Sequence, residues 1–198
     1  MEKIEEITLL YEITKALNEH LELKNSLYKV LEILSNAMNM LRGTITILDP
    51  LRNEINIEVA HGISRQKVES VKYQIGEGIT GRVIESGKPL VIPKISQEPL
   101  FLNRTASRKK QLDQEMSFIC VPVTKGNHVI GAFSVDKPYD KNYDLKKGQK
   151  LMSVIATMLA QHVINLETIR IEKDKLREEN RRLRGELELL QARHAAAV

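Results

Sequence analysis

The sequence predicts an α/β protein of the α+β type: a central antiparallel β-sheet flanked by helices, followed by one long helix that ends as a coiled coil. Three observations point there. Apolar residues recur at helical spacing over residues 4 to 40, the period falls to two from Gly43, and helical spacing returns after Leu145 with no proline to interrupt it. With 198 residues, 42% hydrophobic and 28% charged, the chain can form one domain with a core plus an appendage, and the boundary is drawn between 1–165 and 166–198.

The first stretch carries Ile4, Ile7, Tyr11, Thr14 and Leu21 on one stripe, then Leu27, Val30, Leu31, Leu34 and Met38 on another. The stripe loses register near residues 18–24, so two helices are expected, each burying its stripe. Thr44–Leu48 and Glu54–Val59 are β-branched runs around an Asp-Pro turn and read as a hairpin near a sheet edge. In the second run Ile55, Ile57 and Val59 alternate with Asn56 and Glu58, the pattern of a strand with one wet face. A short polar helix is expected over 64–70. Gly76 and Gly78 then break a strand, Thr80 to Ser86 can turn a helix, and Gly87 suits the left-handed position beyond its end. The strand 89–92 precedes a polar, irregular segment over 96–115 of the kind that forms binding lids. Residues 116–123 and 129–135 are apolar on both faces and should be central strands joined by a hairpin turn, and Asp144 can cap a helix beginning at Leu145.

From Ile155 the apolar positions step by four and three through Leu159, His162, Leu166, Ile169, Lys173, Leu176, Asn180, Leu183, Leu187 and Leu190. This is a heptad repeat with leucine at d and Asn180 at a, the combination that favours a parallel two-stranded coil. Glu172 and Glu179 lie five residues before Arg177 and Arg184, the offset at which g and e residues meet across such a dimer. The expected dimer contacts are Ile155, Leu159, Leu166, Ile169, Leu176, Asn180, Leu183 and Leu187.

Several chemistries are read out of the sequence. The single cysteine, Cys120, cannot form an intrachain disulfide or build a metal cluster, and none of the five histidines has metal-ligand spacing, so no metal site is expected. No nucleophile elbow and no Walker A ending is present, so no enzyme is expected. The net charge of +4 is spread through interspersed Lys, Arg, Asp and Glu, unlike a nucleic-acid-binding face. No apolar run reaches the ~20 residues of a membrane span and the start lacks a signal peptide, which places the chain in the cytoplasm. The backbone N–H groups that open the helix after Gly78 remain candidate donors for a carboxylate or phosphate.

Gly76-Glu-Gly-Ile-Thr-Gly-Arg-Val-Ile-Glu-Ser-Gly-Lys-Pro-Leu-Val-Ile-Pro93, Glu98-Pro-Leu-Phe-Leu-Asn-Arg104 and Ser117-Phe-Ile-Cys-Val-Pro122 resemble the N-terminal GAF domain of NifA-type, sigma-54-dependent transcriptional activators. Leu176-Arg-Glu-Glu-Asn-Arg-Arg-Leu-Arg184 resembles the linker helix that leads into their AAA+ ATPase domain. The cyclic-nucleotide signature of other GAF domains, a bilin-binding cysteine and iron-sulfur cysteines are missing. The resemblance implies a regulatory fragment, lacking the AAA+ and DNA-binding domains, that senses a small molecule and controls the ATPase of the same full-length chain through a homodimeric linker helix, in nitrogen-fixation or nitrogen-metabolism gene regulation. It implies no cofactor, an effector such as 2-oxoglutarate, and no nucleic-acid or membrane contact by this fragment. The alternative it leaves open is a ligand-free dimerisation or docking module receiving a NifL-like protein. GAF topology and residue chemistry assign to the pocket wall Thr80 and Gly81 at the helix start, Phe101 and Arg104 on the lid, and Phe118 and Cys120 on a central strand, with Arg104 as the cation for a dicarboxylate.

Overall fold

The computed structural model describes residues 3–19, 22–102 and 114–196, and divides into two units, Met1–His162 and Val163–Val198. The first unit opens with helices α1 (Lys3–Glu19) and α2 (Leu23–Met38). Strands β1 (Arg42–Asp49) and β2 (Glu54–His61), helix α3 (Arg65–Ser70) and strand β3 (Lys72–Gln74) follow. Then come helix α4 (Gly78–Ser86), strand β4 (Leu90–Ile92), strands β5 (Met116–Lys125) and β6 (His128–Pro138), and helix α5 (Leu145–Ala196), whose residues beyond His162 make up the second unit. Asp144 caps α5 as its sequence predicts, accepting from the N–H groups of Lys146 and Lys147 at 3.0 Å each.

The six strands form one antiparallel sheet in the order β3-β2-β1-β6-β5-β4. Its centre is the β1–β6 pair, and β2 lies one strand in from the edge that β3 occupies. Side-chain alternation sends two populations to opposite faces. Ile45, Ile119, Val121, Phe133 and Val135 pack with Leu27, Val30, Leu31 and Leu34 of α2 and with Met152, Ile155 and Leu159 of α5. On the other face Ile55, Phe118, Cys120 and Ala132 pack with Ile79, Val83 and Ile84 of α4.

Two expectations about facing are corrected. Helix α1 buries Leu9, Ile13, Ala16 and Leu17, while Ile7 and Tyr11 of the expected stripe are exposed; Leu21 and the Ile4 side chain lie outside the described residues. Both stripes have helical spacing, but the buried one is wholly aliphatic, whereas the other would desolvate the Tyr11 hydroxyl and Thr14. In β2 the alternation Ile55, Ile57, Val59 does not face one way. Thr46 pairs with Ile57 and Ile45 with Val59, so Glu58 is the extra residue of a bulge, and Ile55 and Val59 end in different clusters.

The heptad reading is corrected at its start. Ile155 and Leu159 are fully buried in the core of the first unit, so they cannot serve as an intermolecular seam. His162 is anchored inside the same unit: Ser26 donates its hydroxyl to the Leu23 carbonyl at 2.8 Å, which leaves its oxygen to accept from His162 Nε2–H at 2.7 Å. Further along, Ile169, Leu176, Leu183 and Leu187 are each at least half exposed and Leu166 is partly buried; the Leu190 side chain lies outside the described set.

Two outcomes follow from this packing. Leu159→Ala should lower the unfolding free energy by about 2–5 kcal/mol in urea titration, the range for a buried leucine truncation; a change within error would place Leu159 outside the core. Burial holds the His162 imidazole below its ordinary value of 6.5. The unfolded chain therefore takes up this proton first, and the associated stability is present above pH 6.5 and lost as pH falls through the depressed folded value. Unfolding curves of the parent and His162→Gln, recorded from pH 7.5 to 5, should diverge least at the acid end; parallel curves would remove His162 as the source.

Candidate functional site

Where β1 begins, β6 ends and α4 starts, a cavity of about 50 Å³ remains, entirely within the first unit. Its floor is a polar row on the central strands. Arg42 pairs across the ladder with Asp136, and Nη1 of Arg42 donates to Oδ2 of Asp136 at 3.4 Å with both side chains almost wholly buried, 6% and 2% exposed. One step along, the hydroxyls of Thr44 and Ser134 are hydrogen-bonded at 2.7 Å. Polar groups this deeply buried remain folded only when partnered, and removing one member of a buried ion pair costs about 3–5 kcal/mol.

The second wall is the first turn of α4, through Gly78, Ile79 and Thr80. The Glu77 carboxylate accepts from the N–H of Gln74 at 3.0 Å and makes no cap to the helix. Of the first-turn N–H groups, that of Gly81 donates to the Glu77 carbonyl at 3.0 Å, while Gly78, Ile79 and Thr80, whose N–H groups have no acceptor inside the helix itself, line the cavity. Gly78 has φ of +60°, and a side chain here would strike Leu102 at 2.9 Å. Phe101 closes the third side, meeting Phe118 edge to face with ring centroids 5.1 Å apart, and Tyr73 and Ile63 complete the lining.

Of the residues assigned from sequence, Thr80, Phe101 and Phe118 line this cavity. Gly81 does not: it packs on the β3 turn, where a Cβ would fall 2.4 Å from the Gln74 carbonyl oxygen, and its role is to let α4 approach. Cys120 lies behind the wall, fully buried beneath α4, with its thiol hydrogen-bonded to Thr80. Arg104 falls outside the described residues. The two charged residues of the floor, Arg42 and Asp136, escaped the sequence reading because 94 positions separate them. Their local trace is a charge at the first residue of β1 and another near the last of β6, and it is not distinctive, since Asp49 and Lys137 put further charges in the same strands.

A sequence model of the GAF domain matches residues 7–163. The nitrogen fixation protein VnfA of Azotobacter vinelandii is 37% identical over 182 residues, covering 91% of this chain and 35% of that protein. The Nif-specific regulatory protein of Azospirillum brasilense is 30% identical over 184 residues, covering 92% of this chain and 29% of its own length. The chain thus spans about a third of the curated relatives it matches. Among solved structures, the NLH2 GAF domain of A. aeolicus in an inactive state superposes with a TM-score of 0.74 at 29% identity, covering 81% of this chain and 96% of that one. A GAF domain of a phosphoenolpyruvate-protein phosphotransferase from Coxiella burnetii gives 0.75 at 18% identity, covering 86% and 99%, a likeness of fold alone.

Desolvation pushes the Cys120 thiol from its ordinary 9.0 up to about 12. At pH 8 its thiolate fraction should be about a thousandfold below that of an unperturbed cysteine, and burial removes access as well. Iodoacetamide at pH 8 should therefore leave the folded chain unmodified by mass spectrometry and label it fully in 8 M urea. Rapid labelling without denaturant would mean that α4 does not cover the thiol.

Proposed function

The chain belongs to the GAF domain family, and from that membership we propose that it is the signal-sensing regulatory domain of a NifA-like, sigma-54-dependent transcriptional activator. A small molecule held between Arg42, Asp136 and the first turn of α4 sets the activity of an AAA+ ATPase domain through the helix that follows. The observation that carries this reading is the 37% identity to VnfA across 91% of the chain, which extends well past the sensing fold into the charged part of α5. The target genes under this reading belong to nitrogen fixation or nitrogen metabolism. The domain acts by binding, not by catalysis.

The ligand-free alternative, a docking module for a NifL-like protein, is marked by a filled, apolar pocket. Among the described residues the cavity is floored by a buried ion pair and two hydroxyls, which favours a ligand. The 2-oxoglutarate expectation came from the family resemblance, with Arg104 as its cation; Arg104 lies outside the described residues, and on the described wall the guanidinium belongs to Arg42 and faces a carboxylate.

The signal leaves, in this proposal, through a parallel homodimer of α5. Ile169, Leu176, Leu183 and Leu187 expose 50–59% of their surface at heptad spacing. Burying such side chains against a second copy returns roughly 1.5–3 kcal/mol each for full burial. The Asn180 amide, which in one chain donates to the Leu176 carbonyl at 3.0 Å, would meet its counterpart across the seam and fix register and strand number.

Joining the chain to the AAA+ domain of a NifA-type activator should change the ATP hydrolysis rate of that domain severalfold relative to the isolated ATPase; equal rates would sink the regulatory reading. In sedimentation equilibrium, truncation after Glu167 should weaken self-association. Asn180→Leu should raise the melting temperature and admit higher oligomers. A truncated chain that dimerises as tightly as the parent would move the contact to the first unit.

A further inference from the structure

Residues 151–166 of α5 carry no Asp, Glu, Lys or Arg, in a chain of which 28% is charged. A helix lying on a sheet turns one side to solvent, and that side is normally the charged one. Here it is uncharged and still uncovered: in the first unit Val154 is 49% exposed, Thr157 and Gln161 are exposed, and Ser153 and Met158 are half-buried. Helix α1 repeats the pattern. Ile7, Tyr11, Thr14 and Asn18 step by four, three and four along the side opposite Leu9, Ile13 and Ala16, and all four are exposed.

The two helices run side by side in the same direction. Glu6 pairs with Lys147 at 2.8 Å near their starts, and Leu9, Ile13 and Leu17 share one cluster with Leu151, Ile155 and Leu159. Val154 and Met158 follow Lys147 by steps of seven and four, which puts them on the side of α5 turned to α1, so the uncharged faces adjoin. The surface is also prepared to lose water. The hydroxyls of Thr14, Ser153 and Thr157 donate to carbonyls four residues back, at 2.8, 3.0 and 3.1 Å, and covering them strands no donor. Exposed Tyr and Met in a patch without charge are the composition of an interface centre.

We infer that a second copy of this chain covers this surface, its α5 against α1 and its α1 against α5, about a twofold axis parallel to the helices. Charge selects that occupant and that direction. Glu5 and Glu12 stand exposed along the edge of α1 away from α5, and Lys146 and Lys150 along the edge of α5 away from α1. A parallel pairing sets each acidic edge beside the basic edge of the other copy. Spacing agrees: from Val154 and Met158, steps of three, four and four through Gln161 and Asn165 reach Ile169, where the leucine stripe proposed to join two copies begins. The two successive steps of four let the contact pass to that stripe from a face other than the one Ile155 and Leu159 give to the core. The contact lies outside the coil and is independent of any ligand.

The test is made on the whole chain. Tyr11→Glu combined with Val154→Glu puts charge at the centre of the surface, and it should raise the dimer dissociation constant in sedimentation equilibrium at least about tenfold with the circular dichroism spectrum unchanged. Geometry is read separately. Cys120 is buried, so Tyr11→Cys and Val154→Cys each supply one reactive thiol, and a short bismaleimide should link the two variants to each other in an equimolar mixture. Leu51→Cys, 96% exposed on the β1–β2 turn, should link to neither. Should the charged variant fail to fold, the crosslinks decide. A parent-like dissociation constant, or Tyr11–Val154 linkage no greater than that of the Leu51 control, overturns the inference and leaves the contact to the coil. A parent chain that stays monomeric overturns it together with the coil. A charged variant that melts lower than the parent while both are monomeric, with an unchanged dissociation constant, shows that the chain's own residues cover the surface, and that too overturns the inference.

Discussion

One strand register separates the hydrophobic core from the cavity under α4. In the β1–β6 pairing Arg42 stands opposite Asp136, Gly43 opposite Val135, Thr44 opposite Ser134 and Ile45 opposite Phe133. Because side chains alternate, this alignment sends Ile45, Phe133 and Val135 to the helices α1, α2 and α5, and Arg42, Thr44, Ser134 and Asp136 to α4. A slip of one residue would exchange the two sets, driving a guanidinium into an aliphatic core. The burial that stabilises the domain thus also places every polar group of the cavity floor.

Most of the element order was legible because it depends on local pattern. The Asp144 cap, the left-handed Gly87 that ends α4 at φ 64°, and the doubly apolar β5 and β6 are encoded within a few residues of where they act. Facing was less legible. In α1 two stripes compete, and the choice depends on what α2 offers; in β2 the bulge at Glu58 changes the phase without any glycine or proline to announce it. The candidate site was legible on its α4 side, where the glycines carry a local signal, and not on its sheet side. Arg42 and Asp136 are each unremarkable alone, and only the strand pairing makes them a pair.

The heptad spacing through α5 runs without a break between two different environments. Around Ile155 and Leu159 the neighbours are Met152, Ala156 and Ala160, small or apolar, and the stripe is consumed by the domain's own core. Beyond Glu167 the flanks are almost wholly Glu, Lys and Arg, and the stripe is exposed. Spacing alone could not tell which part of the stripe the domain's own core takes up; the flanking composition follows that division. Small flanking residues let the first part of the stripe lie close against the sheet, whereas charged flanks on both sides favour solvent over a sheet surface.

The volume of the cavity also bounds the strength of any signal it can receive. The best small ligands gain at most about 1.5 kcal/mol per non-hydrogen atom, so a molecule of about six such atoms has a ceiling near 9 kcal/mol and usually falls well short of it. Dissociation constants in the micromolar to millimolar range correspond to about 4–8 kcal/mol. If it is the sensing site proposed above, a cavity of this size suits a metabolite present at micromolar to millimolar levels and not a scarce, dedicated messenger.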